Sequence, residues 1–308
     1  MGYIIVIGII LLVCFFLVYY FFNIAFVKQN MGDLDDVDAL VNKPLENYKE
    51  IIREGINFIN STPHKWVETV SFDGLKLTAR YFDNKSEKTV IFFHGYRSSA
   101  SRDFSCAVKM YLAWGFNVLL VDQRSHGRSE GRLITFGVKE RRDAVLWAEY
   151  AVEKLGALNI VLSGMSMGAT TVLLSCGLTL PKEVRCIIAD CGFTSPVEII
   201  KKVAKDNFKI DVGFFLPVLN ACCVIFGKFS IYGINTADAV KKSNIPILFV
   251  HGKADKFVPC EMSEQTFKSA NSKSRILTVE NASHGLSFLV DTPLVESELK
   301  KFLKENIS

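Results

Sequence analysis

An α/β fold on a mostly parallel sheet of eight strands, with helices covering both faces, is what this sequence predicts. Three observations carry that reading. From Thr89 onward, short continuous apolar runs alternate with helix-patterned stretches, the signature of strands buried on both faces. Before them, two alternating runs flank Asp73-Gly74 and read as a hairpin that adds antiparallel strands at one edge. A serine between two glycines then stands where a predicted strand gives way to a predicted helix.

Taken in order, the chain opens on an apolar segment. No residue from Tyr3 to Val27 is charged, and Ile, Leu, Val, Phe and Tyr dominate. At about 1.5 Å per residue, a helix over residues 1–28 is long enough to cross a hydrocarbon layer about 30 Å thick. Tyr19, Tyr20 and Lys28 stand where interfacial anchors would. A cleaved leader would need basic residues at its start and a small-residue cleavage site, and neither is seen. The expectation is therefore an uncleaved single-pass transmembrane helix and a membrane location. The side of the membrane stays open, because Lys28 is the only nearby cation.

Residues 29–63 read as a connector with one helix. Tyr48, Ile51, Ile52, Ile56 and Ile59 recur at near-helical spacing and predict a face packed on the main domain. That domain is expected over residues 64–308. Its strands are predicted at 67–71, 75–81, 89–93, 117–121, 160–163, 184–189, 247–250 and 276–279, with helices through 110–114, over 138–155 and after Met167. Residues 191–245 exceed what a strand-helix-strand link needs and include the apolar run 214–226. They read as a small helical cap over the site, with Phe215 and Phe226 contacting an apolar substrate; a buried core helix is the alternative.

The net charge of +4 is small, and its lysines and arginines are scattered among acids, so no nucleic-acid partner is expected. The eight cysteines include no CxxC pair and no Cys/His cluster with zinc spacing. Free thiols and no metal are expected.

The serine lies in Gly164-Met165-Ser166-Met167-Gly168, between a predicted strand and the helix-compatible stretch that follows. A serine hydroxyl is a poor nucleophile unless a base removes its proton. His284 follows the last predicted strand, in Ser283-His284-Gly285, and is the expected base. Asp255 follows the strand before it and is the expected partner that orients the imidazole; Asp190, one strand earlier, is the alternative acid. Negative charge developing on a substrate oxygen would be met by the backbone N–H groups of Met167 and Tyr96. His94 reads as a brace of the Tyr96 loop, His126 and His251 as structural, and His64 as a surface residue. Such a set needs no cofactor.

Together, His94-Gly95-Tyr96, the stretch from Asp122 to Gly131, the Ser166 turn, the Asp255 segment with Val258-Pro259, and Ser283-His284-Gly285 resemble the α/β-hydrolase superfamily. Within it they look like the branch of monoacylglycerol lipases, lysophospholipases and serine-aminopeptidase-like hydrolases, many of them membrane-anchored and bacterial. Ser125 departs from that pattern, standing where the family usually has glycine. The resemblance implies cleavage of carboxylic esters with apolar or lipid-like acyl groups through an acyl-enzyme. Peptidase, thioesterase and acyl-transfer activities are the alternatives; a peptidase would draw on Asp206, Asp211 or Asp238 to hold an ammonium group.

Overall fold

The computed structural model describes residues 2–30, 32–38 and 43–307 of the chain. Three helices come first: α1 (Gly2–Phe26), α2 (Lys43–Glu46) and α3 (Lys49–Ser61). The hairpin β1 (Lys65–Val70) and β2 (Lys76–Phe82) follows, then β3 (Lys88–Phe93), α4 (Ala100–Asp103), α5 (Ser105–Ala113), β4 (Asn117–Asp122), α6 (Glu140–Leu155), β5 (Asn159–Met165) and α7 (Met167–Ser175). Next come β6 (Val184–Asp190), α8 (Pro196–Phe208), a 3-10 turn (Gly213–Phe215), α9 (Leu216–Gly227) and α10 (Thr236–Val240). The chain closes with β7 (Ile247–Gly252), α11 (Cys260–Phe267), β8 (Arg275–Val279), α12 (Ser287–Val290) and α13 (Thr292–Asn306).

The eight strands form one sheet in the order β1-β2-β4-β3-β5-β6-β7-β8. β2 runs antiparallel to both β1 and β4, and all other neighbours are parallel. The reason is legible in the residues. β3, β5 and β7 are buried along nearly their whole length, as central parallel strands must be, whereas β1 alternates and exposes Lys65 and Glu68 at the edge. One core, including Trp147, Leu173 and Phe249, fills the face under α6 and α7. A second, with Phe92, Tyr111 and Phe302, fills the face under α5 and α13.

A third core overturns the membrane expectation. Val18, Phe22 and Phe26 of α1 are buried with Phe136, Leu219, Cys223 and Phe229. The Phe26 ring meets Phe136 at 5.2 Å and Phe229 at 5.6 Å, and the Phe226 ring of α9 meets Tyr19 at 5.1 Å. Backbone bonds fasten the end of the helix: Ile134 N–H donates to Phe26 O at 2.7 Å, and Lys28 N–H to Arg132 O at 2.7 Å. The C-terminal turns of α1 are thus part of the domain. The stretch before Val18, residues 2–17, spans only about 24 Å, short of the roughly 30 Å of a hydrocarbon core. Among the described residues, no helix is long and apolar enough to cross a membrane. The single-pass anchor assigned to 1–28 and the location built on it are corrected accordingly.

Candidate active site

β3, β5, β6, β7 and β8 all deliver their following loops to the carboxyl edge of the sheet, where open parallel sheets hold their ligands. Ser166 stands between β5 and α7 with φ 54° and ψ −114°, a strained conformation for a residue with a side chain. Glycines on either side make the turn possible. A Cβ on Gly168 would lie 1.8 Å from Phe93 O, and one on Gly164 would lie 2.2 Å from Gly168 O. The Ser166 N–H is tied to Asp190 O at 2.8 Å, so the turn is fixed from β6.

Ser166 Oγ lies 2.9 Å from His284 Nε2, and His284 Nδ1 lies 2.6 Å from Asp255 Oδ2. With Nδ1–H donating to the carboxylate, Nε2 is left to accept the serine proton. Asp255 is anchored in turn. Its Oδ1 accepts the N–H groups of Phe257 and Val258, both at 2.9 Å, and its Oδ2 also faces His251 Nε2 at 3.2 Å. Burial pushes the Asp255 carboxyl up, but the hydrogen bonds from His251 and His284 outweigh it and hold the pKa down to about 2.

Two backbone N–H groups belong to the segments that border Ser166: that of Met167, the next residue, and that of Tyr96, which lines the same cavity as Ser166. Met167 is the first residue of α7, where backbone donors have no partner within the helix. Among the described residues, neither N–H donates to a protein acceptor. The loop after β3 comes close to the serine, since a Cβ on Gly95 would stand 3.4 Å from Ser166 Cβ. Asp103 braces that loop through Gly95 N–H to Oδ2 at 2.7 Å, a contact that no motif in the sequence announced. The Tyr96 hydroxyl donates to Ala25 O at 2.7 Å, which joins the loop to α1.

Two histidines hold the loop from behind. His94 Nδ1 donates to Gly95 O and its Nε2 accepts from Gln123 N–H; His126 Nε2 accepts from Arg97 N–H at 3.1 Å. His251 has Ser263 Oγ at 2.7 Å and Val258 O at 2.9 Å, besides Asp255. Asp190 is half-buried beside the site, accepting from Ser287 Oγ at 3.4 Å and not bonded to His284. Its burial raises its pKa to about 6.

Cys191 Sγ, Asp255 and His284 are the one group of possible metal ligands among the described residues. It does not fit a metal. His284 and Asp255 are committed to each other, and burial pushes the Cys191 thiol well above its usual range, so it stays protonated.

Beside Ser166 opens a cavity of about 440 Å³. Its lining combines Ser166, His284, Arg102, Asp103 and Asp190 with a larger set of apolar residues. Phe215 and Phe226 do not line it: Phe215 packs into the third core, and Phe226 lies on Tyr19 and Phe22 of α1. The substrate contact predicted for these two is corrected, because α1 covers the apolar face that the sequence offered to a substrate. Nor do Asp206, Asp211 and Asp238 reach the cavity.

The sequence matches the family described as alpha/beta hydrolase fold over residues 88–222, and that described as TAP-like protein over residues 228–306. The chain is an α/β hydrolase. The hydrolase is 26% identical to the Pyrococcus furiosus esterase Pf2001, over 80% of this chain and 93% of that one, with a TM-score of 0.66. Est1E from Butyrivibrio proteoclasticus, solved with ferulic acid bound, shares the fold at 21% identity and a TM-score of 0.61, over 78% of this chain and 99% of its own. Among curated proteins, the uncharacterized protein YqkD of Bacillus subtilis is 24% identical over 216 residues, 70% of each chain. Family and neighbours together make this hydrolase an esterase-like enzyme.

Proposed function

We propose that this hydrolase cleaves carboxylic esters with apolar acyl groups, using Ser166 as nucleophile, His284 as base and Asp255 as the orienting acid. The observation that carries the reading is the unbroken chain from Ser166 Oγ to His284 to Asp255, with two unclaimed N–H groups beside it. In the first step Ser166 Oγ attacks the acyl carbon while His284 Nε2 takes its proton. The carbonyl oxygen becomes an oxyanion and is met by the N–H groups of Met167 and Tyr96. The tetrahedral species collapses, His284 returns the proton to the departing alkoxide, and the alcohol leaves. Water then attacks the acyl-Ser166 ester while His284 takes its proton; His284 returns that proton to Ser166 Oγ as the acyl–Oγ bond breaks, and the carboxylic acid departs. Asp255, held ionised, stabilises the imidazolium in both halves.

The test uses the full chain and its Ser166→Ala form. Hydrolysis of p-nitrophenyl esters and labelling by a fluorophosphonate are measured on both. The expected result is turnover and labelling in the parent, with kcat lower by at least about 10⁴-fold in Ser166→Ala and labelling lost. A folded parent that neither turns over an ester nor takes the label would overturn the reading.

A further inference from the structure

We propose that the cavity beside Ser166 is an acyl-chain pocket roofed by the N-terminal connector, taking a linear chain of roughly ten carbons. The inference rests on the ester-hydrolase reading above and extends it to the substrate class. The cavity of about 440 Å³ falls within the size range of small-molecule sites. At about 30 Å³ per water-sized group, it holds on the order of fifteen heavy atoms, enough for an ester group and such a chain.

Its charged groups gather at one end. Arg102 and Asp103 lie there 3.7 Å apart and offset each other, and Asp190 lines the same end, its backbone oxygen accepting from Ser166 N–H at 2.8 Å. Away from that end the wall is Met110 of α5, Phe288 and Leu289 of α12, Leu299 of α13, and Leu45 and Ile52 of the connector. A wall without charge favours a hydrocarbon over a polar leaving group.

The connector is a fixed part of this wall. α3 lies so close on α5 that a Cβ on Gly55 would stand 2.4 Å from Ser105 O. Leu289 packs against the cluster of Val37, Ile52 and Ile56, so the roof is continuous with α12, which follows His284. No residue of α8 or α9 reaches the cavity. Chain-length selectivity therefore resides in residues 45–52 and α5, on the side away from the helices between β6 and β7.

The test compares the parent, Leu45→Trp, Leu45→Ala and Phe226→Ser on p-nitrophenyl esters from acetate to palmitate, reading kcat/KM for decanoate relative to acetate. Leu45→Trp should lower that ratio at least tenfold, and Leu45→Ala should move the optimum toward longer chains. Phe226→Ser should leave the ratio within twofold of the parent. If both Leu45 variants keep the parental profile while the parent turns over esters, the roof assignment is wrong and the esterase reading survives. The same holds if Phe226→Ser changes the ratio more than they do. No turnover of any ester by the folded parent removes both.

Discussion

At the scale of single residues, the site depends on side chains kept in one protonation state. His94 donates from Nδ1 to Gly95 O and accepts at Nε2 from Gln123 N–H, so both contacts require the neutral ring. Burial holds its pKa down to about 4. An unfolded chain takes up that proton near pH 6.5, while the folded chain refuses it until about pH 4. Below pH 6.5 the unfolded state thus binds more protons, and the stability owed to His94 falls as pH drops. The stability gap between the parent and His94→Gln should therefore narrow by up to roughly 3 kcal/mol from pH 7 to pH 4.5. Urea unfolding at the two pH values measures it; a gap that holds or widens would refute the assignment. Ser125 shows a residue making the best of an unsuitable position. It sits at φ 66°, where the resembling family carries glycine, and its Oγ donates to Leu133 O at 2.9 Å.

At the scale of elements, the loop after β4 is held by a buried ion cluster. Arg124 is almost fully buried and bonds Asp143 of α6 at 2.6 and 2.7 Å, and Asp73 of the β1–β2 turn at 3.0 and 3.1 Å. Asp143 is buried, whereas Asp73 is partly exposed and shared with Lys139. Asp143→Ala should then cost about 3 kcal/mol, by leaving a buried guanidinium half-compensated, and Asp73→Ala nearer 1 kcal/mol. Urea midpoints rank the two, and the reverse order would show that the hairpin, not α6, holds Arg124. The elements themselves were legible in the sequence, because strands buried on both faces must read as unbroken apolar runs, as β3 and β5 do. Ser166, Asp255 and His284 stood out because each follows such a run at the edge where the loops gather. The pocket did not. The Ile52 face was readable as packed, but which groove it roofs depends on contacts with α5 and α12 that lie far away in sequence. Apolarity says that a face is covered and not by what, which is why Phe226 pointed to a substrate when its neighbour is Tyr19.

At the scale of the molecule, α1 is a buried component with an exposed extension. The docking stripe Val18, Phe22, Phe26 has helical spacing, yet the sequence hides it because the residues around it are apolar as well. Burying three such side chains is worth about 6 kcal/mol, so a chain starting at Lys28 should melt on the order of 10 °C lower than the parent. Thermal unfolding followed by circular dichroism tests this; equal melting temperatures would mean that α1 contributes nothing to the fold.

The same docking has a consequence in time. α1 leaves the ribosome ahead of Phe226 and Phe229, which cover its stripe and follow some two hundred residues later. At about 5–20 residues per second, that leaves roughly 10–40 s in which the most apolar helix of the chain waits for the surface it fits.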